Sequence, residues 1–268
     1  MCTLIVVHNV NDKYPLIIGA NRDEFYDRPS QEPELLQVLP VAVIAPKDLR
    51  GGGTWIGAAQ GGWFVGLTNQ DDGDLILGKR SRGEVVRDML LLGDHRAAAK
   101  YLASLDPLDY NPFNIVFGRP GAVFLCRVHH GLAVDLEPIE TGVRVVSNDC
   151  AGDRYKIREN RAATGAYVWD DDGSDAIVRQ LLKTLSSHDG GDDPYQSLCV
   201  HDDGRDFGTK SSSVVLMTGD GDIDYYHSEG HPCERSSMPL NRHLMSIDFH
   251  DLECEVVNVT DEDVETID

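Results

Sequence analysis

The chain opens on a hairpin, and that most narrows what it can fold into. Thr3-Leu4-Ile5-Val6-Val7-His8 is a β-branched apolar run suited to a buried strand. Asn9-Val10-Asn11-Asp12-Lys13 supplies turn residues. Tyr14-Pro15-Leu16-Ile17-Ile18-Gly19-Ala20 is a second strand, which returns the chain to its own start. At its end stand four consecutive polar residues, Asn21-Arg22-Asp23-Glu24. They are a costly choice for a core, and read either as a solvated turn or as a cation and a carboxylate held beside the first residues.

Further strands are expected over 41–45, 63–68, 113–118, 122–128, 143–147, 212–218 and 222–227, with Gly219-Asp220-Gly221-Asp222 turning the last pair. Helical spacing fits 82–92, 94–104, 154–167 and 174–186. Asp170-Asp171-Asp172-Gly173 and Gly190-Gly191-Asp192-Asp193 read as loops between helices. Strands in runs and helices in groups predict an α+β chain in which two mainly antiparallel sheets stack under helices. With no internal repeat or Pro- or Ser-rich linker, residues 1–268 are expected to form one domain.

Charge excludes several functions. Lys and Arg total 24 against 45 Asp and Glu, a net −21. Such a field repels phosphate backbones and anionic lipid, so no nucleic-acid partner is expected. With 32 Asp and only 7 Lys, the composition predicts a protein kept soluble in concentrated salt, in a halophilic cytoplasm, the alternative being a merely acidic mesophilic enzyme. No apolar stretch is long enough to span a bilayer, and the N-terminus lacks a secretory signal. Six cysteines lie far apart with no C-x-x-C pair, as intracellular thiols do, and Cys126, Cys150, Cys199, Cys233 and Cys254 are expected to be packing residues.

Cys2 is different. Trimming of Met1 would leave it with a thiol and a free α-amine in one residue. That amine has an ordinary pKa near 8, so it can take and return a proton while the sulfur attacks an acyl carbon. In the functional reading of the polar quartet, Arg22 favours the thiolate and Asp23 accepts a bond from the α-ammonium. Asn69 and Asn148 each follow an expected strand and can donate to a developing oxyanion, or simply form Asx turns. Gly51-Gly52-Gly53-Thr54-Trp55 lacks a P-loop ending and reads as a tight turn with close backbone approach to a ligand. His227 and His231 flank helix-incompatible residues and read as packing or surface groups, so no metal site is expected.

Met1-Cys2-Thr3, the block from Gly19 through Asn21-Arg22-Asp23-Glu24 to Ser30, and the short blocks Gly52-Gly53-Thr54-Trp55-Ile56-Gly57, Leu67-Thr68-Asn69, Ser81-Arg82-Gly83, Asn111–Asn114, Val146-Ser147-Asn148 and Phe207–Ser213 resemble the NRDE-motif family, also called the transport and Golgi organisation protein 2 family. That family in turn resembles the cysteine N-terminal-nucleophile (Ntn) hydrolases, including the choloylglycine and penicillin V acylases. The resemblance implies a four-layer αββα sandwich. It implies a hydrolase that cleaves a non-peptide C–N amide, or a thioester, through a Cys2 acyl-enzyme, with no cofactor. It places Asp23 at the acylases' carboxylate and Asn69 and Asn148 at their two Asn positions. Ala20 occupies the place of the acylases' Arg, for which Arg22, two residues on and on the same strand face, substitutes. Lys210 stands where NRDE relatives show Arg; it keeps the charge but loses the bidentate fork. The alternative implied by the family is a non-catalytic haem- or lipid-binding protein whose pocket holds an apolar ligand. The partner is then a small acyl amide or thioester in the first case and an apolar molecule in the second; oligomeric state stays open.

Overall fold

In the computed structural model, residues 2–38, 41–70, 76–129, 135–148, 153–166, 173–188, 190–191, 193–237, 240–245 and 252–257 are described. Met1, Cys150, the acidic positions 170–172 and Asp192 lie outside them. The strands are β1 (Cys2–His8), β2 (Leu16–Phe25), β3 (Ser30–Val38), β4 (Val41–Asp48), β5 (Ile56–Ala59), β6 (Trp63–Asn69), β7 (Phe113–Arg119), β8 (Ala122–Val128), β9 (Asp135–Pro138), β10 (Gly142–Ser147), β11 (His201–Asp202), β12 (Phe207–Met217), β13 (Ile223–Glu229), β14 (Leu240–Met245) and β15 (Leu252–Val257). The helices are α1 (Arg82–Leu90), α2 (His95–Ser104), α3 (Asp153–Ala166) and α4 (Ser174–Leu185).

One sheet runs β10-β1-β2-β12-β13-β14-β15, with β11 added to β12; the other runs β3-β4-β5-β6-β7-β8-β9. Every pairing is antiparallel. Side-chain alternation along β1 shows how the layers are held. Leu4 and Val6 join Ile18, Val146 and Val215 of their own sheet to Ile44, Ile56, Phe64 and Val116 of the other, forming the core between the sheets. Ile5 and Val7 point the other way, against Ile177, Leu181 and Leu185 of α4. On the far face of the second sheet, Val65 and Ile115 pack on Val85, Met89 and Leu102 of α1 and α2. The fold is the expected αββα sandwich, and each helix lies within a residue or two of its expected span.

Patterning missed β3, β5, β9, β11, β14 and β15, and for the first two the physical reason is plain. β3 is an edge strand whose register shifts between Gln31 and Glu34, where Pro33 removes a ladder donor. β5 is four residues long, too short to show a period. β2 and β12 run several residues beyond their apolar stretches because their polar halves lie side by side, Asn21 opposite Ser212 and Asp23 opposite Thr209. The solvated-turn reading of the quartet is therefore corrected. Asn21, Arg22 and Asp23 are buried strand residues, and only Glu24 is partly exposed.

Candidate active site

β1 is an inner strand between β10 and β2, so its first residue is held on both sides. Cys2 sits directly across from Arg22, and Thr3 across from Asn21 and Ser147. Cys2 is buried but opens on a cleft of about 320 Å³, shared with Arg22, Glu24, Arg28, Trp55 and Asn69. Its backbone nitrogen donates to Asn148 Oδ1 at 2.9 Å. The Asp23 backbone N–H points at its sulfur. Burial raises the thiol pKa, and the Arg22 charge acts against that rise.

Strand alternation sends neighbouring members of the polar quartet to opposite faces. Arg22 shares the Cys2 face, with its guanidinium 4.3 Å over the Trp55 ring. Its Nη1 is buried and has no hydrogen-bond partner among the described residues. Asn21 and Asp23 face the helices. Asn21 Nδ2 donates to Leu185 O (2.9 Å) and Leu198 O (2.8 Å), and Asn21 Oδ1 accepts from Ser212 Oγ at 2.6 Å. Asp23 Oδ1 accepts from Thr209 Oγ1 at 2.6 Å. Burial raises the Asp23 pKa, opposed by the charge of Arg158, itself a buried α3 residue that donates to Thr3 Oγ1.

Asn69 ends β6 and lines the cleft. Asn148 follows β10, with its carbonyl oxygen engaged by the Cys2 nitrogen. Lys210 stands elsewhere. It occupies the bulge of β12, and its Nζ donates to Tyr26 O (2.8 Å) and Arg28 O (2.6 Å), which fastens the turn after β2. Of the six residues singled out, Cys2, Arg22 and Asn69 meet at the cleft. Asp23 and Asn148 contact Cys2 from its sides, and Lys210 secures the turn behind.

Residues without an assigned role complete the wall. Arg82 and Arg28 both carry charge that acts on the Cys2 sulfur. Arg82 donates to Pro112 O, and Arg28 pairs with Asp48 at 2.7 Å and with Glu24 at 3.5 Å. Both arginines belong to motif blocks, the one signal that could have singled them out. Thr209, which bonds Asp23, also lies in a motif block, whereas Arg158, whose charge acts on Asp23, carried no such signal. The glycine run does make a tight turn, with Gly52 at φ +72°, but its close approach is to the chain itself. A Cβ on Gly53 would stand 2.2 Å from the Gly83 carbonyl carbon. Gly53→Ala should therefore separate the two rims of the cleft and lower stability by about 2 kcal/mol or more; an unchanged denaturation midpoint would contradict this packing.

Asp48 gives the wall a pH dependence. Burial pushes its carboxyl pKa up, but bonds from Arg28, Gly51 N–H and Arg50 N–H outweigh it and hold the group below its ordinary value. A depressed carboxylate stabilises the fold above its unfolded pKa, and the effect is lost as pH falls through the folded value. Asp48→Asn should thus cost about 2 kcal/mol at neutral pH, and the gap from wild type should close below pH about 4. Denaturation measured from pH 7 downward, with a gap that stays constant, would rule out this pairing as the cause.

The family model for Transport and Golgi organisation 2 matches residues 1–231. The chain belongs to that family. It is 27% identical over 247 residues to the Transport and Golgi organization protein 2 homolog of Bos taurus and 25% identical over 253 residues to that of Homo sapiens, in each case over 79% of this chain and 85% of the relative. Among solved structures, it resembles the Caenorhabditis elegans ortholog of N-acylethanolamine-hydrolyzing acid amidase, with TM-score 0.57 and 15% identity over 80% of this chain and 92% of that one. It also resembles a variant of the conjugated bile acid hydrolase of Clostridium perfringens, with TM-score 0.59 and 11% identity over 97% and 98% of the two chains. These likenesses give this family member the Ntn-hydrolase fold. No helix among its described residues is long and apolar enough to cross a membrane.

Proposed function

We propose that this protein is a cysteine N-terminal-nucleophile hydrolase that cleaves a non-peptide C–N amide, or a thioester, after loss of Met1. The observation that carries the reading is the pairing of both Cys2 atoms the chemistry needs. Its nitrogen is held by Asn148 Oδ1, and its sulfur lies beside the Asp23 N–H at the edge of the Arg22-lined cleft. With Met1 gone, that nitrogen is an amine and takes the thiol proton. Sulfur then bonds to the acyl carbon, and the carbonyl oxygen becomes an oxyanion facing Asn69 and the amide N–H of Asn148. The ammonium protonates the leaving nitrogen as the C–N bond breaks. Water, giving its proton to the same amine, then cleaves the thioester and frees the acid and the thiol.

Wall chemistry supports a class of substrate. Among the described residues the cleft is lined by Arg22, Arg28, Lys79, Arg80 and Arg82 against Glu24 and Asp48, with Arg80 also paired to Glu84 and Asp109 beyond the lining, which leaves a net cationic hollow in a chain of net charge −21. Together with the buried Nη1 of Arg22, unpartnered among the described residues, it favours an acyl compound bearing an anionic group over a plain lipid. The test is turnover of N-acyl amino acids, uncharged acyl amides and acyl thioesters by trimmed protein in concentrated KCl. Hydrolysis of at least one anionic member, faster than its neutral counterpart, is expected. No turnover of any class would overturn the reading.

A further inference from the structure

We propose that His188, Cys199, His201 and Cys233 form a tetrahedral zinc site on the far side of β12 from the cleft, clipping the α4–β11 connection to the turn after β13. The ligating atoms of the four residues all lie within 4.8 Å of one another. Cys199 Sγ and Cys233 Sγ are each 3.4 Å from His201 Nε2. Zinc bonds of about 2.3 Å to sulfur and about 2.0 Å to nitrogen set sulfur-to-nitrogen edges near 3.5 Å in a tetrahedron, so these contacts already have the size of a site. Two thiolates and two imidazoles match zinc in softness as well as geometry. Four protein donors leave no open position, which makes the site structural.

The surroundings hold the donors in place. Cys199 and His201 alternate along an extended segment and so project to one side. Cys199 N–H donates to Ser187 O at 3.0 Å, beside His188, and the His231 ring packs 4.3 Å from that of His201. Cys233 and His188 are exposed, giving the ion a way in. Two thiol protons leave as Zn²⁺ binds and the imidazoles stay neutral, so the loaded site carries no net charge. The four donors span 188 to 233 with no C-x-x-C pair, and the chain offers no linear motif for them.

The clip has a consequence for the cleft. Val200, between two of the donors, gives its N–H to Thr209 Oγ1 at 2.8 Å and accepts from Thr209 N at 2.8 Å. Thr209 Oγ1 is the donor to Asp23. Zinc would therefore fix the segment that orients the carboxylate behind Cys2, without touching substrate. This inference does not depend on the proposed hydrolysis.

Elemental analysis of full-length protein, purified under reducing conditions and dialysed against zinc, should find one zinc per chain. Cys233→Ser and His188→Ala, both at exposed positions, should lose most of it while keeping the wild-type circular dichroism. Replacement by Co²⁺ should give thiolate charge-transfer and tetrahedral d–d bands in wild type that are lost in Cys233→Ser. Chelation should lower the wild-type Tm by several degrees and leave that of Cys233→Ser unmoved. Folded, reduced wild type without zinc or cobalt bands, zinc retained equally by both variants, or a Cys199–Cys233 disulfide that persists in reductant would each overturn the site.

Discussion

Cys2→Ala should lower turnover of any substrate the protein accepts by at least about a thousandfold while leaving a folded, cooperative protein. Sulfur is the only atom in the proposed cycle that bonds to the acyl carbon, and alanine removes it while keeping the α-amine and the strand. The loss to stability is small, since a single sulfur is deleted beside an existing cleft, on the order of 1 kcal/mol. Cys2→Ser should also be strongly impaired, because a hydroxyl holds its proton far more tightly than a thiol and is a much weaker nucleophile near neutral pH in a site arranged around sulfur. Initial rates with trimmed wild type and both variants, together with thermal denaturation of each, check this. Either variant retaining full activity would end the nucleophilic role.

Asn21→Ala should produce the largest loss of stability among the quartet, about 3 kcal/mol or more. Asn21 is 1% exposed and ties three elements together, through α4 at Leu185 O, through Leu198 O ahead of β11, and through Ser212 of β12. Alanine leaves two carbonyls and a hydroxyl buried without it, and each unsatisfied group carries a desolvation cost. Glu24→Ala, at the partly exposed end of the same strand, removes a longer ion pair to Arg28 and should cost under about 1 kcal/mol. Urea denaturation of the two variants separates these cases. Equal midpoints would mean that the quartet acts as one functional unit and that Asn21 has no special structural share.

That contrast shows what the sequence could and could not disclose. The apolar halves of β1 and β2 and the stripes of all four helices were legible because burial of one face leaves a period. The polar half of β2 was not, because its burial depends on partners nearly two hundred residues away, Thr209 and Ser212, whose pairing no local pattern announces. Cys2, Arg22 and Asn69 were legible as a group through chemistry and motif resemblance, and they share a cleft. Lys210 drew attention by its charge and its place in a motif, yet its ammonium faces two main-chain carbonyls. Arg158 reaches Thr3 from a helix, and the cysteine–histidine cluster assembles from three separate segments. Both arise from packing between distant parts of the chain, which spacing alone does not reveal.

The central claim is that sulfur and free amine belong to one terminal residue that carries the acyl group. The direct measurement is intact and peptide mass spectrometry after brief exposure to an activated acyl ester. The account predicts a chain lacking Met1, gaining a single acyl group on Cys2, and losing it again as water resolves the thioester. A hydrolytically active chain that retains Met1, or one whose acyl group sits on another residue, would contradict it.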